Sequence, residues 1–344
     1  MFDARLLYVA AFGVSAGLTG LVRRIALRRG MLDAPNERSS HAAPTPRGGG
    51  LAIVVATTAA IALLSAGGAL EWRLACALGG GGIAVAAVGW LDDRRSVQPL
   101  MRLLVHFAAA LWAVAWLKGL PPLLLGTQMA HPHWGGYVLA VLGIVWILNL
   151  FNFMDGIDGI AASEALFVVL AGAWLTLGGA NAKGLAFVDL TLAAACGGFL
   201  VWNWPPAKIF LGDVGSGYLG YMIAVFALSA GRDDSVALWV WLILGGAFFV
   251  DATVTLLRRV ARGERVHQAH RSHAYQWLAR RWGSHRNVTV AVLAANLVWL
   301  LPWAVLAEMF PNLAAGSVLA ALVPLALVAA FIGAGRREDG PQGH

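Results

Sequence analysis

Eleven apolar runs, each near the roughly 20 residues that cross a bilayer, leave this 344-residue chain little choice but a helical membrane bundle. They lie near residues 6–22, 48–65, 74–91, 100–118, 136–154, 160–179, 186–203, 215–230, 237–257, 288–307 and 313–334. In hydrocarbon a backbone must satisfy its own hydrogen bonds, and a helix does so within one segment. The charge content agrees: 12% of residues are charged, about half the share found in soluble domains. So few charges cannot clothe a water-facing surface, and the net charge of +7 has no soluble basic domain to carry it, which argues against a nucleic-acid partner. The expectation is a single all-α integral membrane domain over residues 1–344. Glycine runs at 48–50 and 79–82 suit helices whose backbones approach closely. Cys76 and Cys196 sit in apolar runs and read as small packing residues.

Lys and Arg set the orientation. With the N-terminus outside and eleven crossings, twenty of the 25 basic residues fall on the inner side and five, Arg5, Arg73, Lys118, Lys183 and Arg232, on the outer. The expected topology is therefore an N-terminus outside and a cytoplasmic C-terminus; the resemblance given below implies that the membrane is a bacterial inner membrane and the outer side its periplasm. The first apolar run is followed, not preceded, by its cluster of arginines, so it reads as a retained helix rather than a cleaved signal.

Polar residues concentrate on the inner side, in short segments wedged against apolar helices, where charge is costly and is usually kept for a site. Asp92-Asp93 end the third run. Adjacent carboxylates repel, and a metal or Arg94 and Arg95 would relieve them; a solvated loop with local ion pairs is the plain alternative. NLFNFMDGIDGIA, residues 149–161, carries Asn149, Asn152, Asp155 and Asp158 at every third position. On a continuous helix, at about 100° per residue, Asn149 and Asp158 would face apart. Gly156 and Gly159 instead predict a helix end and a turn that gathers the polar groups. FLGDVGSGYLG, residues 210–220, sets Asp213 between glycines at a helix start. That suits a hard cation with phosphate oxygens, or simply an N-cap. The basic segment 258–286 holds His267, His270, Arg271 and His273. It reads as diphosphate contacts or as a basic loop against anionic lipid. Arg38, His41 and Arg47 lead into the glycines of the second run, in a segment that also reads as an ordinary polar loop. The segments expected to meet are 33–50, 92–99, 152–160, 204–216 and 258–287.

Together, NxxNxxDGxDG, FxGDxGS, the double Asp and the histidine segment resemble the polyprenyl-phosphate N-acetylhexosamine-1-phosphate transferase family (glycosyltransferase family 4). The resemblance runs from about residue 33 to residue 276. It implies transfer of a sugar 1-phosphate from a UDP-sugar to undecaprenyl phosphate, with release of UMP. It further implies Mg²⁺ (or Mn²⁺ in its place) held by Asn152 and Asp213, and catalytic roles for Asp92, Asp93, Asp155 and Asp158. Substrate contacts would come from Arg38, His41, Arg47, Asn149, Lys208, His270, Arg271 and His273. Membrane lipids are the surrounding partners, and a homodimer is compatible with the reading. His270-Arg271-Ser272-His273 departs from the tighter histidine clusters of enterobacterial members and resembles the branch that starts O-antigen chains, including on 6-deoxy sugars. The alternatives are the peptidoglycan enzyme phospho-N-acetylmuramoyl-pentapeptide transferase and, from another class, a lipid or sugar transporter, for which Asp251 is the best-placed intramembrane carboxylate.

Overall fold

The computed structural model describes residues 4–33, 43–175, 182–233, 237–264 and 270–337. Each apolar run becomes helix. α1 is Ala4–Arg29, α2 Leu51–Ala66, α3 Trp72–Arg94, α4 Pro99–Leu117, α5 His133–Met154, α6 Ile160–Leu175, α7 Ala182–Asn203 and α8 Asp213–Asp233. The ninth run is broken into α9, Ala237–Leu244, and α10, Gly246–Ala261, bent by 69° at Gly245. Adjacent glycines are a usual place for such a kink.

The basic segment after α10 is not all loop: Ala274–Trp282 forms α11. α12, His285–Ala295, runs through a wide π turn at Asn296–Leu300 into α13, Leu301–Met309. Pro302 cannot donate to the preceding turn and clashes with it, so the helix widens just before it. Ala314–Ile332 is α14.

Two expectations hold in coarser form. The described chain is not purely helical, because Leu32–Asp33 (β1) pairs antiparallel with Thr45–Pro46 (β2), and Leu123–Leu125 (β3) with Gln128–Ala130 (β4). Short connections between helix ends close as tight pairs where glycine, such as Gly126 at φ 62°, permits the turn. Among the described residues eight helices, or nine with the bent pair, have the length and hydropathy of a span. The two remaining runs, α2 and α6, are apolar helices of 16 residues each, about 24 Å of rise.

α8 is the centre of the bundle, with 94% of its apolar window buried. It packs on α3 and α5 through small residues. A Cβ on Gly220 would come within 2.8 Å of the α5 backbone at Ile147 and Leu148, and one on Gly82 within 3.0 Å of the Tyr218 ring. The Tyr221 hydroxyl donates to the Ala77 carbonyl at 2.6 Å. α1 packs on α7, where Ser15 donates to the Ala195 carbonyl at 2.6 Å. The tight α3–α8 seam sets the site, because Asp92 and Asp93 end one helix where Asp213 begins the other.

Candidate active site

At that end of the bundle three carboxylates and two guanidinium groups form one network. Asp93 is the most enclosed carboxylate, its side chain 2% exposed. It accepts from the backbone N–H groups of Asp213 at 2.9 Å and Val214 at 3.1 Å. A carboxylate of α3 thus caps the N-terminus of α8, where the free N–H groups and the helix dipole favour negative charge. Gly212 at φ 76° makes room, since a Cβ there would lie within 2.8 Å of Asp93 Oδ1.

Arg47 bridges Asp93 at 2.7 Å and Asp213 at 2.6 Å. Arg102, in the first turn of α4, bridges Asp92 at 2.5 Å and Asp213 at 3.0 Å. Asp92 also accepts from the Val97 N–H at 2.6 Å. Desolvation works against the charge on Arg47, but Asp213, then Asp93, Asp33 and Asp155, outweigh it and raise its pKa.

The relief expected from Arg94 and Arg95 therefore comes from Arg102 and Arg47. Arg94 lies over the Trp90 ring, one turn back on its own helix, at 4.2 Å, and Arg95 leaves the helix in extended, exposed backbone. Arg102 stands ten residues after Asp92, at a helix start, which is the one sequence signal of this pairing.

The second motif turns as predicted. α5 ends at Met154, Asp155 follows as its C-cap, and Gly159 takes φ 75° before α6. Asn152 Oδ1 accepts from the Ser216 hydroxyl at 3.3 Å, which places it against the first turn of α8. Asp155 is held well above the usual carboxylate range, first by desolvation, with Asp213, Asp93 and Asp158 adding to it and Arg47 opposing.

Asp158 lies on the turn itself. It accepts from the Ala207 N–H at 3.0 Å and faces His285 at 3.3 Å, while Asn203 holds the Gly159 N–H at 3.0 Å. These contacts tie the 203–209 turn and α12 to the motif. Asn149 donates to the Val145 carbonyl at 2.7 Å and bonds His106 of α4, so it faces the helix interior. Lys208 is exposed with its Nζ 5.7 Å from the Trp202 ring centre, outside the carboxylate network.

Segment 43–50 reaches the site by backbone pairing. The Phe210 N–H donates to the Pro46 carbonyl at 2.8 Å, and the Gly49 and Gly50 N–H groups to Phe210 and Leu211, each at 2.9 Å. Gly50 and Gly215 meet backbone to backbone, with no space for a side chain. Arg38, His41 and His267 lie outside the described residues.

The histidine segment is anchored by Asp251 of α10, which accepts from the Ala274 N–H at 2.8 Å and the Tyr275 N–H at 3.0 Å. Asp251 thus caps α11 rather than lining a midplane path. Tyr275 donates to the Phe153 carbonyl at 3.0 Å, docking α11 on the Asn152–Gly159 turn. His273 is buried, 3.4 Å from Asp251, and His270 stacks on it with ring centres 5.0 Å apart. Burial, with His273 and Arg259 adding, pushes His270 down to about 3. The Arg271 carbonyl accepts from Arg280 at 2.9 Å.

Two cavities adjoin segment 43–47. One, of about 460 Å³, is lined by Asp33, Arg47, Asp93 and Arg94; the other, of about 530 Å³, by Thr45, Asp158, His285 and Arg286.

Among the described residues no three Asp, Glu, His or Cys side chains enclose a metal on their own. The donors still fit one particular kind. Mg²⁺ retains waters and takes one or two carboxylates together with phosphate oxygens. Asp213 opens α8, and the Asn152 amide oxygen of α5 accepts from Ser216 in the first turn of α8, so two hard oxygen donors adjoin that helix start; both Asp213 oxygens already attract positive charge, supplied here by Arg47 and Arg102.

The fold and site together define a polytopic membrane protein with a carboxylate–arginine network at one end of its helix bundle. Residues 74–231 match glycosyl transferase family 4. The chain is 32% identical over 327 residues to the probable undecaprenyl-phosphate N-acetylglucosaminyl 1-phosphate transferase of Bacillus subtilis, covering 87% of this chain and 89% of that protein. It is 30% identical over 319 residues to the decaprenyl-phosphate N-acetylglucosaminephosphotransferase of Mycobacterium tuberculosis, covering 83% and 79%. A phospho-N-acetylmuramoyl-pentapeptide-transferase of Synechococcus elongatus is 30% identical over 258 residues, covering 69% and 67%. The chain belongs to glycosyl transferase family 4, the polyprenyl-phosphate N-acetylhexosamine-1-phosphate transferases.

Proposed function

We propose that this chain transfers an N-acetylhexosamine 1-phosphate, or a 6-deoxy derivative, from a UDP-sugar to undecaprenyl phosphate at the cytoplasmic face of the inner membrane. The observation that carries the proposal is the meeting of Asp92, Asp93, Asp213, Arg47 and Arg102 at the joint ends of α3, α4 and α8. Joining two phosphate-bearing substrates is chiefly a matter of holding and neutralising negative charge. Arg47 and Arg102 supply two cations already positioned by carboxylates. Asp92, with one oxygen on Arg102 and the other on the Val97 N–H but none on α8, is the residue to keep the lipid phosphate deprotonated and in line with the β-phosphorus. Asp93, with both oxygens engaged by backbone N–H groups, positions α8.

Asn152 and Asp213 would hold Mg²⁺, which would supply charge neutralisation at the UDP-sugar diphosphate and the leaving UMP. Asp155 and Asp158 frame the turn, and His270, Arg271 and His273 flank it for the nucleotide side. A diphosphate bound there would draw a proton onto His270. The topology that accompanies this reading has eleven crossings, with the N-terminus periplasmic and the C-terminus cytoplasmic, supported by the inner-side excess of Lys and Arg. The product would start an O-antigen or another cell-envelope polysaccharide. The wider coverage of the Bacillus subtilis relative, 87% of the chain against 69% for the Synechococcus enzyme, favours an N-acetylhexosamine over a muramoyl-pentapeptide donor.

The test is UMP release by purified protein with undecaprenyl phosphate and a panel of UDP-sugars that includes the muramoyl-pentapeptide donor, with and without Mg²⁺. Asp213→Asn is expected to abolish most release without lowering expression. Undiminished turnover in that variant would reject the assigned role. Metal-independent transport with no UMP would point to the transporter class.

A further inference from the structure

The helices that build the site also build a second polar cavity at their other ends. α3, α4 and α8 present Asp92, Asp93, Arg102 and Asp213 at one end; the opposite ends of α3, α4, α7 and α8 surround a cavity of about 460 Å³. Helices of about 20 residues put the two some 30 Å apart.

Arg73, Lys183 and Arg232 line this cavity with a single carboxylate, Glu71. The sequence places only five Lys and Arg on this face, and three of them gather here. Lys183 is exposed, and among the described residues no ion pair engages Lys183 or Arg73. Arg232 is braced against the Leu117 carbonyl. Arg73 lies 5.6 Å from the Trp72 ring centre, and Trp72 meets Trp116 edge to face at 5.2 Å, so aromatic rings back the charge. Beneath the charges the floor is apolar: Leu70, Leu117 and Leu185 are each at most 5% exposed.

A charged rim over an apolar floor, at the end of a membrane helix bundle, matches the chemistry of a phosphate group attached to a glycerolipid. Guanidinium and ammonium groups meet the phosphate oxygens, and the floor accepts the first carbons of the glycerol and chains. We propose that this cavity binds a phosphate anion as a second site, separate from the transferase centre. An excess of two positive charges over Glu71 makes a neutral or cationic ligand unsuitable. The proposal does not depend on the sugar-transfer reading.

The test measures the melting temperature of the full chain purified in a non-ionic detergent. It is titrated with phosphatidylglycerol, with zwitterionic phosphatidylcholine, or with inorganic phosphate against chloride at equal ionic strength. Lys183→Gln and Arg73→Gln/Lys183→Gln are compared with the parent and with Arg24→Gln/Arg28→Gln, which removes two cations from the other face. A rise of several degrees with phosphatidylglycerol, absent with phosphatidylcholine and at least halved in the Lys183 and double variants alone, supports the site and assigns it to a lipid headgroup. A rise with inorganic phosphate that the same variants abolish supports it and assigns a free anion. Equal rises in parent and cavity variants, or equal losses in the Arg24/Arg28 control, overturn it. Lys183→Gln alone suffices for this comparison should the double variant fail to fold.

Discussion

Replacing Gly89 by alanine separates the geometry of the site from the stability of the bundle. Gly89 lies on α3 one turn before Asp93, where α3 crosses the start of α8. A Cβ there would stand 2.5 Å from the Asp213 carbonyl carbon and 2.6 Å from the Val214 nitrogen, against 3.4 Å for ordinary contact. The obstacle is backbone, so the helices must part by about 0.9 Å at this point. That displacement falls on the joint where Asp93 caps α8 and where Arg47 and Arg102 span between Asp92, Asp93 and Asp213.

A misplacement of about 1 Å can cost about 100-fold in rate, or about 2.7 kcal/mol of barrier. The overpacking itself costs about 1–3 kcal/mol of stability. Gly79→Ala is the control: it lies on the same helix with nothing within 4 Å of its added Cβ. UMP release per folded molecule, measured beside the melting temperature, is expected to fall about 100-fold in Gly89→Ala and to stay within about twofold in Gly79→Ala, since a side chain meeting nothing moves nothing. Normal turnover in a folded Gly89→Ala protein, or equal damage from Gly79→Ala, would refute the claim that this helix contact sets the site.

Arg102→Gln leaves Asp92 and Asp213 facing each other with one bridging cation gone; turnover is expected to drop at least about 10-fold, as loss of one charge-assisted bond of about 1.5–3 kcal/mol implies, with Arg102→Lys recovering part of it. Asp251→Asn removes the charge at the start of α11 and should cost about 0.3–1 kcal/mol of helix stability. It is read as faster proteolysis near residue 272 and a higher KM for the UDP-sugar, and unchanged cleavage and KM would refute the anchoring role. His270, with its pKa depressed from 6.5 to about 3, binds fewer protons folded than unfolded. Its contribution is therefore complete above about pH 6.5 and is lost as pH falls toward 3. In the substrate-free protein its imidazole NMR signals should stay those of the neutral ring at pH 5, and a mid-point near 6.5 would contradict the burial argument. Glu264 is held at about 2 by Arg259, Arg262 and Arg337, so Glu264→Gln should flatten the loss of stability between about pH 4.5 and pH 2, followed by thermal melts.

Most helices were legible because lipid demands long apolar runs, and the turn at Gly156–Gly159 because four polar groups cannot share one helix face. The weakly apolar run 215–230 proved to be the most enclosed helix. Its glycines and tyrosines pack against α3 and α5, a use of small residues that hydropathy undervalues. The double Asp was visible, but its counter-charges were not. Arg94 is adjacent in sequence and turns back onto Trp90, whereas Arg47 and Arg102 arrive from other segments, and single-sequence spacing does not encode that meeting. The basic 258–286 stretch hid α11 because its charges mask the helical period. Asp251 stood out only as an intramembrane charge, since its partners are backbone N–H groups 23 and 24 residues away.

The two neighbouring aspartates would score alike in any screen for lost function, yet for unrelated reasons. Asp93 holds the first turn of another helix through two backbone N–H groups, so a defect in an Asp93 variant would mix lost capping with any lost chemistry. Asp92 touches no backbone group of α8; its loss falls on Arg102 and on the Val97 turn instead.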